Sequence, residues 1–137
     1  QLNDVVLWDE SWHAGLAAPQ AVAVDRFSAW VACGPGLAQY ERQAQAWHFA
    51  PWPAELQGEA PTALAVDEFE PYIWVATARR VARAGLAEGE LDWTVFPPST
   101  GIVSGVTKIL PSRDGVWFVG RGGVTWYRLD PPADSRP

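Results

Sequence analysis

The chain is poor in residues that several common kinds of protein depend on. It has no methionine, one cysteine, and ten Lys and Arg residues against sixteen Asp and Glu residues, for a formal net charge of −6. A lone Cys33 excludes a disulfide framework within the chain. The acidic balance argues against a nucleic-acid partner, which would need a basic stripe to displace counterions. No apolar run approaches the ~20 residues of a membrane-spanning helix, so no membrane span is expected.

The missing methionine bears on the origin of the chain. A translated protein begins with methionine, so Gln1 indicates either processing, such as removal of a signal peptide, or an excised segment of a longer protein. We therefore expect an extracytoplasmic location, periplasmic or secreted.

The 137 residues are enough to bury a real core without cross-links.

Three short motifs each occur three times along the chain, at steps of 42 to 44 residues. Their positions are 21–25, 63–67 and 106–110; 30–32, 74–76 and 117–119; and 36–38, 80–82 and 123–125. The motifs are rich in Val and Trp and are separated by turn residues such as Asp114-Gly115, which favours strands joined by tight hairpins. Trp47 and Trp93 mark a fourth strand in the first two repeats. Four short strands every ~40–45 residues are typical of a β-propeller blade, so the sequence predicts an all-β fold of four-stranded antiparallel blades.

One repeat carries a family resemblance. The run 114–124, Asp-Gly-Val-Trp-Phe-Val-Gly-Arg-Gly-Gly-Val, resembles the propeller repeats in the sensor halves of bacterial two-component regulators. The segments around 24–37 and 66–76 match the same frame more loosely. This resemblance implies a bacterial propeller with a sensing role.

The repeat frame divides the chain into about three blade-equivalents within a single propeller segment, 1–130. Residues 20–58 and 59–100 are predicted to form whole blades, and 101–130 a blade without its outer strand. Residues 1–19 are predicted to supply an outer strand that completes another blade, and 131–137 a disordered tail.

Three blades are too few to close a ring, because propellers have roughly four to eight. The ring is therefore expected to be incomplete within this chain. Two partners remain open: a second copy that closes a six-bladed ring as a dimer, or further blades of a longer chain.

No catalytic or metal-binding constellation is found. His13 and His48 are the only histidines, and they follow a Trp on predicted outer strands of different blades, too far apart to act together. Cys33 has no neighbouring histidine and is expected to be a small buried hydrophobe. We expect no catalytic residue, no metal and no cofactor, and therefore a protein that is not an enzyme.

Most of the tryptophans fall at repeated positions, which favours packing between blades over ligand binding. The repeated ones are Trp30, Trp74 and Trp117 on second strands, and Trp12, Trp47 and Trp93 on fourth strands. Trp52 lies outside this pattern, between Pro51 and Pro53, and is expected to be an exposed ring that faces a ligand.

The remaining candidate residues lie in loops on one face of the predicted blades. Arg79, Arg80 and Arg121 would suit a carboxylate or an acidic peptide, through forked hydrogen bonds. The alternative is that they are solvated or pair with Asp67, Glu68 and Glu70. Ser99 and Thr100 belong to the loop that leads to the last repeat and complete the candidate ligand-binding set with Trp52.

These features predict a non-enzymatic recognition or sensing module that binds a ligand or a protein partner through its loop face. Two alternatives stay open. One is an oligomeric sugar-binding lectin built from short propeller chains, and the other is part of a larger propeller lyase or hydrolase.

Overall fold

A computed structural model describes residues 5–86 and 90–128. The described chain is built from short strands and three 3₁₀ helices. The strands are β1 Ala21–Val24, β2 Ser28–Ala32, β3 Gly36–Glu41, β4 Ala46–Pro51, β5 Pro61–Val66, β6 Tyr72–Thr77, β7 Val81–Gly85, β8 Asp92–Phe96, β9 Val106–Pro111, β10 Gly115–Gly120 and β11 Gly123–Arg128. The 3₁₀ helices are Ala14–Leu16, Ala54–Leu56 and Pro98–Thr100, and none of the described helices is long and apolar enough to cross a membrane.

The strands form three separate antiparallel sheets, each an up-and-down meander in chain order. The first sheet is β1–β4, the middle sheet is β5–β8, and the last sheet is β9–β11. Short turns join neighbouring strands, and partly or fully buried carboxylates or hydroxyls hold several of them. Asp25 Oδ1, for example, accepts the amides of Phe27 (2.8 Å) and Ser28 (2.6 Å). Asp67 holds the corresponding turn of the middle sheet in the same way.

The sheets lie side by side, with their first strands adjacent. β1 contacts β5, and β5 contacts β9. The hydroxyl of Thr62 on β5 donates to the carbonyl of Val106 on β9 at 2.7 Å. Each gap between sheets is filled by a separate apolar cluster, so the middle sheet is covered on both faces and the two outer sheets on one face by a neighbouring sheet.

Burial follows from this arrangement. On β2 the buried positions alternate, at Ser28, Trp30 and Ala32, because one face of the first sheet looks at the middle sheet. On β6 the residues from Ile73 to Thr77 are all buried, because both faces of that strand are covered.

The predicted all-β fold of antiparallel four-stranded units is confirmed by the first two sheets, and the last sheet has three strands. The sheets do not close into a ring within the described chain. Residues 1–4 and 129–137, which include the predicted tail, lie outside the described residues.

The predicted outer strand before β1 was expected to complete another blade, so a single chain does not test it. Residues 5–13 contain no strand, and the ring of Trp8 instead packs against Tyr40 and Trp47 at centroid distances of 5.0 and 5.4 Å. A strand needs a neighbour with free backbone groups, and within the described chain this segment has none.

Trp117, predicted to pack between blades, has no neighbouring sheet to pack against in the described chain. Its side chain is 44% exposed, whereas the equivalent Trp30 and Trp74 are 4% and 0% exposed. The strand position is the same in each sheet, but no further sheet covers the outer face of the last one in the described chain.

Candidate functional site

A small groove opens where the β6–β7 turn of the middle sheet meets the β8–β9 connection that leads to the last sheet. Its walls come from the β6–β7 turn, from the prolines after β8 and from residues 102–105 before β9. The groove has a volume of about 90 Å³, and both Arg79 and Arg80 line it. The sequence placed these loops on one face, and the structure brings two of the three predicted arginines to one groove.

Thr77 fixes the shape of the arginine-bearing turn. Its side chain is 2% exposed, and its hydroxyl accepts the backbone amides of Arg79 (3.3 Å) and Arg80 (3.1 Å). The same hydroxyl donates to Oε1 of Glu59. The turn is therefore tied to a residue that lies before β5.

Glu59 also neutralises one of the two arginines. Arg80 Nε donates to Glu59 Oε2 at 3.4 Å, with both side chains partly buried. No sequence pattern predicts this pair, because the two residues are 21 positions apart and meet only through the fold. The expected alternative partners of the arginines, at positions 67, 68 and 70, make no ion pair with them in the described chain.

Arg79 and Arg121 carry the unneutralised positive charge of this region. Both side chains are exposed, and neither forms an ion pair with a carboxylate of residues 5–86 or 90–128. Arg121 lies in the β10–β11 turn beside Gly105, where an added Cβ would come within 3.6 Å of the Arg121 Cβ. Gly105 donates its amide to Ala78 at 3.1 Å, which connects the two turns at the groove.

Ser99 and Thr100 lie next to the groove but do not line it. They belong to the 3₁₀ helix Pro98–Thr100, and both are exposed.

The expectation that Trp52 is exposed is wrong. Its side chain is 3% exposed and belongs to the core between the first and middle sheets. The indole N–H donates to the carbonyl of Cys33 at 2.8 Å, and the ring packs edge-on against Trp93 at 5.7 Å. The 3₁₀ helix Ala54–Leu56 directly after it turns the chain back over the core, so the flanking prolines do not project the ring outward.

A larger cavity lies elsewhere and was not anticipated from the sequence. It has a volume of about 610 Å³ and opens between the outer strands of the first and middle sheets. Trp30, Phe49 and Trp93 contribute aromatic walls, and Glu41 and His48, which are paired with each other, lie at its border. No motif marks it, because its residues come from strands that are distant in sequence.

The histidines and the cysteine have local structural roles. His13 Nδ1 accepts the amide of Gly15 at 2.8 Å, and its ring stacks on Phe49 at 3.7 Å. Cys33 is fully buried, as predicted, and burial raises the pKa of its thiol. Within the described residues, no group of three or more His, Cys, Asp or Glu side chains could hold a metal ion.

Comparison with known proteins assigns no family. No family model and no curated protein matches the chain. Among solved structures it is similar to the computationally designed Ika4 protein, with 14% sequence identity and a TM-score of 0.42 over 83% of this chain and 92% of that one.

Proposed function

We propose that the three sheets are consecutive blades of a β-propeller. Two observations support this arrangement. The first strands of successive sheets are adjacent, as they would be around a central axis. The same structural position, that of Trp30 and Trp74, fills the gap toward the following sheet each time.

The protein acts in this proposal as a non-enzymatic recognition module whose contact surface is the loop face around Arg79. The observation that carries it is the exposed guanidinium of Arg79, which borders a groove of fixed shape and meets no carboxylate in the described chain. A planar guanidinium binds carboxylates through paired hydrogen bonds, so the preferred ligand is acidic. Arg121 adds a second exposed charge on the same side.

The size of the groove defines the kind of ligand. Sites for whole small molecules usually enclose ~300–1,000 Å³, and this groove holds about 90 Å³. That volume suits one carboxylate side chain rather than a complete metabolite. The ligand is therefore an acidic segment of a protein or peptide that places a Glu or Asp side chain in the groove and runs across the exposed Ser99 and Thr100.

A titration with a short acidic peptide tests this function. The probe is acetyl-Gly-Glu-Gly-Glu-Gly-amide, followed by ¹⁵N chemical shifts at low salt, with the Gln-for-Glu peptide as the neutral control. We expect shifts at Arg79 and at Ile102–Gly105 that disappear in the double variant Arg79→Ala, Arg121→Ala. Arg113→Ala is the matched control, because Arg113 lies in the β9–β10 turn at the opposite end of the last sheet and covers Phe69. Equal shifts with both peptides would contradict an acidic ligand.

The sugar-binding alternative loses the residue that suggested it, because Trp52 is buried. The larger-enzyme alternative stays a prediction of the sequence, because nothing in the described chain tests it. The extracytoplasmic location stays a prediction of the sequence.

A further inference from the structure

The two outer sheets of the chain each leave apolar side chains exposed on their outer face, although residues 8–16 cover part of that face on the first sheet. On the last sheet the rings of Trp117 and Trp126 pair with each other, at a centroid distance of 4.7 Å, and both are exposed. On the first sheet Val22 and Val24 are 65% and 64% exposed. Apolar side chains clustered on a sheet face are typical of an interaction surface.

The two faces occupy matching positions in the repeat. Trp30, Trp74 and Trp117 each lie opposite the residue nine positions later on the third strand. Trp30 fills the gap between the first and middle sheets, and Trp74 packs on Phe118 of the last sheet at 5.6 Å. By the same geometry, Trp117 faces the place of a following sheet.

Val22 and Val24 match the opposite half of the interface between consecutive sheets. Leu64 and Val66 of β5 pack against the core shared with the first sheet. Val22 and Val24 hold the equivalent positions on β1, one repeat earlier. Val22 and Val24 therefore face the place that a preceding sheet would occupy. The exposed face of the last sheet and the exposed face of the first sheet are thus the two halves of an interface that already occurs twice in the chain.

The backbone offers a second pair of complementary features: an open strand edge at the end of the last sheet and an unpaired segment before the first sheet. The last sheet ends at β11, which has a hydrogen-bonded neighbour on one side only among the described residues. The 3₁₀ helices Ala54–Leu56 and Pro98–Thr100 each follow an outer strand and precede a first strand. Ala14–Leu16 precedes β1 in the same way, and its capping amide likewise bonds back to its first residue. Residues 5–9, which precede a turn at residues 10–12, therefore stand where an outer strand belongs, yet they pair with no strand.

We propose that two copies of the chain associate head to tail, so that the last sheet of each packs on the first sheet of the other. Residues 5–9 of each copy then add to the open edge of β11 in its partner as a fourth strand, which is a β-augmentation. Two identical interfaces related by a twofold axis close the assembly and leave no open edge. This inference rests on the proposed propeller arrangement but not on the acidic ligand.

The molar mass in solution decides the proposal. Light scattering on the purified chain, from about 1 to 100 μM, is expected to show a species of twice the 15.0 kDa chain mass at the upper concentrations. A mass of one chain throughout would overturn the proposal. A series of larger species would also overturn it, because it would show an open assembly instead of a closed pair.

A matched pair of variants locates the interface. Trp117→Asp places a charge on the uncovered face and is expected to weaken self-association by at least ~100-fold, since a charge that must be buried without a partner is strongly unfavourable. Phe69→Asp is the control, because Phe69 is similarly exposed but lies in the β5–β6 turn, away from both faces. Circular dichroism must show a folded Trp117→Asp monomer. Equal association of the two variants would overturn the assignment of the interface.

The outcome is separable from that of the ligand titration. Loss of the dimer in Trp117→Asp with peptide binding unchanged contradicts neither proposal. A wild-type monomer that binds the peptide overturns only the dimer. A dimer that ignores the peptide overturns only the ligand.

Discussion

Trp74 and Trp117 occupy the same position in successive sheets but lie in opposite environments. Trp74 is fully buried among Phe96, Phe118 and Tyr127, whereas Trp117 is 44% exposed. The local sequence around them is alike, with each Trp at the centre of a second strand. The difference shows that a repeated residue acquires its role from the neighbouring sheet rather than from its own strand.

Truncating the two rings gives the largest expected contrast. Trp74→Ala is expected to lower the free energy of unfolding by about 3–5 kcal/mol, because it leaves a cavity in a packed core. Trp117→Ala is expected to lower it by less than about 1 kcal/mol when measured at concentrations where the chain is monomeric. Urea unfolding followed by circular dichroism measures both values. Equal losses would show that the two environments are not as different as described.

A second contrast compares the buried hydroxyl of Thr77 at the groove with the exposed hydroxyl of Thr107 on β9. Thr77→Val removes the acceptor of two turn amides and the donor to Glu59, so we expect a loss of about 1–3 kcal/mol in unfolding free energy. Thr107→Val removes a hydroxyl that makes one exposed bond to Val119 at 3.3 Å. That change is expected to alter stability by no more than about 0.5 kcal/mol. Urea midpoints of both variants check the difference, and a Thr77→Val protein as stable as the wild type would remove Thr77 from its proposed role.

The buried position of Trp52 predicts a smaller loss of unfolding free energy. Trp52→Phe keeps an aromatic ring in the core but leaves the carbonyl of Cys33 without its donor, which is expected to lower the unfolding free energy by about 1 kcal/mol. Trp12→Phe is the control, since the Trp12 side chain is 54% exposed. Thermal unfolding of the two variants provides the comparison. A larger loss in Trp12→Phe than in Trp52→Phe would favour the original expectation of an exposed Trp52.

The smallest expected effect concerns Cys33, whose burial changes the pH at which its thiol ionises. Burial raises the pKa of its thiol, so the folded state favours the protonated form. The resulting stabilisation is fully present below the unfolded pKa, about 8.5, and is lost as the pH rises through the higher folded pKa. At pH 8 we expect alkylation by iodoacetamide to be slow in the native protein and rapid in urea. Equal rates in both states would place the thiol at the surface.

The sequence was a good guide to the strands and a poor guide to their surroundings. The recurrence of Trp30, Trp74 and Trp117 located the second strand of every sheet, because strand formation depends on local pattern and turn chemistry. Their burial depended on which sheet lies alongside, which the local pattern does not contain. Trp117 is exposed in the described chain for this reason.

At the candidate site too, the sequence predicted the position of the loops but not the contacts of their side chains. The arginines at 79, 80 and 121 were expected on one loop face from the order of strands alone. The pairing of Arg80 with Glu59 and the burial of Trp52 both depend on the path of the connection between β4 and β5. A short 3₁₀ helix sets that path, and the flanking prolines suggested the opposite.

Hydrogen exchange of the indole N–H groups, resolved by NMR, tests the central claim that one interface is used twice within the chain and left open at its ends. We predict slow exchange for Trp30 and Trp74 at every protein concentration. Trp117 should exchange rapidly in the dilute monomer and slow down as the concentration rises. Exchange at Trp74 as fast as at Trp117 in the dilute protein would contradict the account.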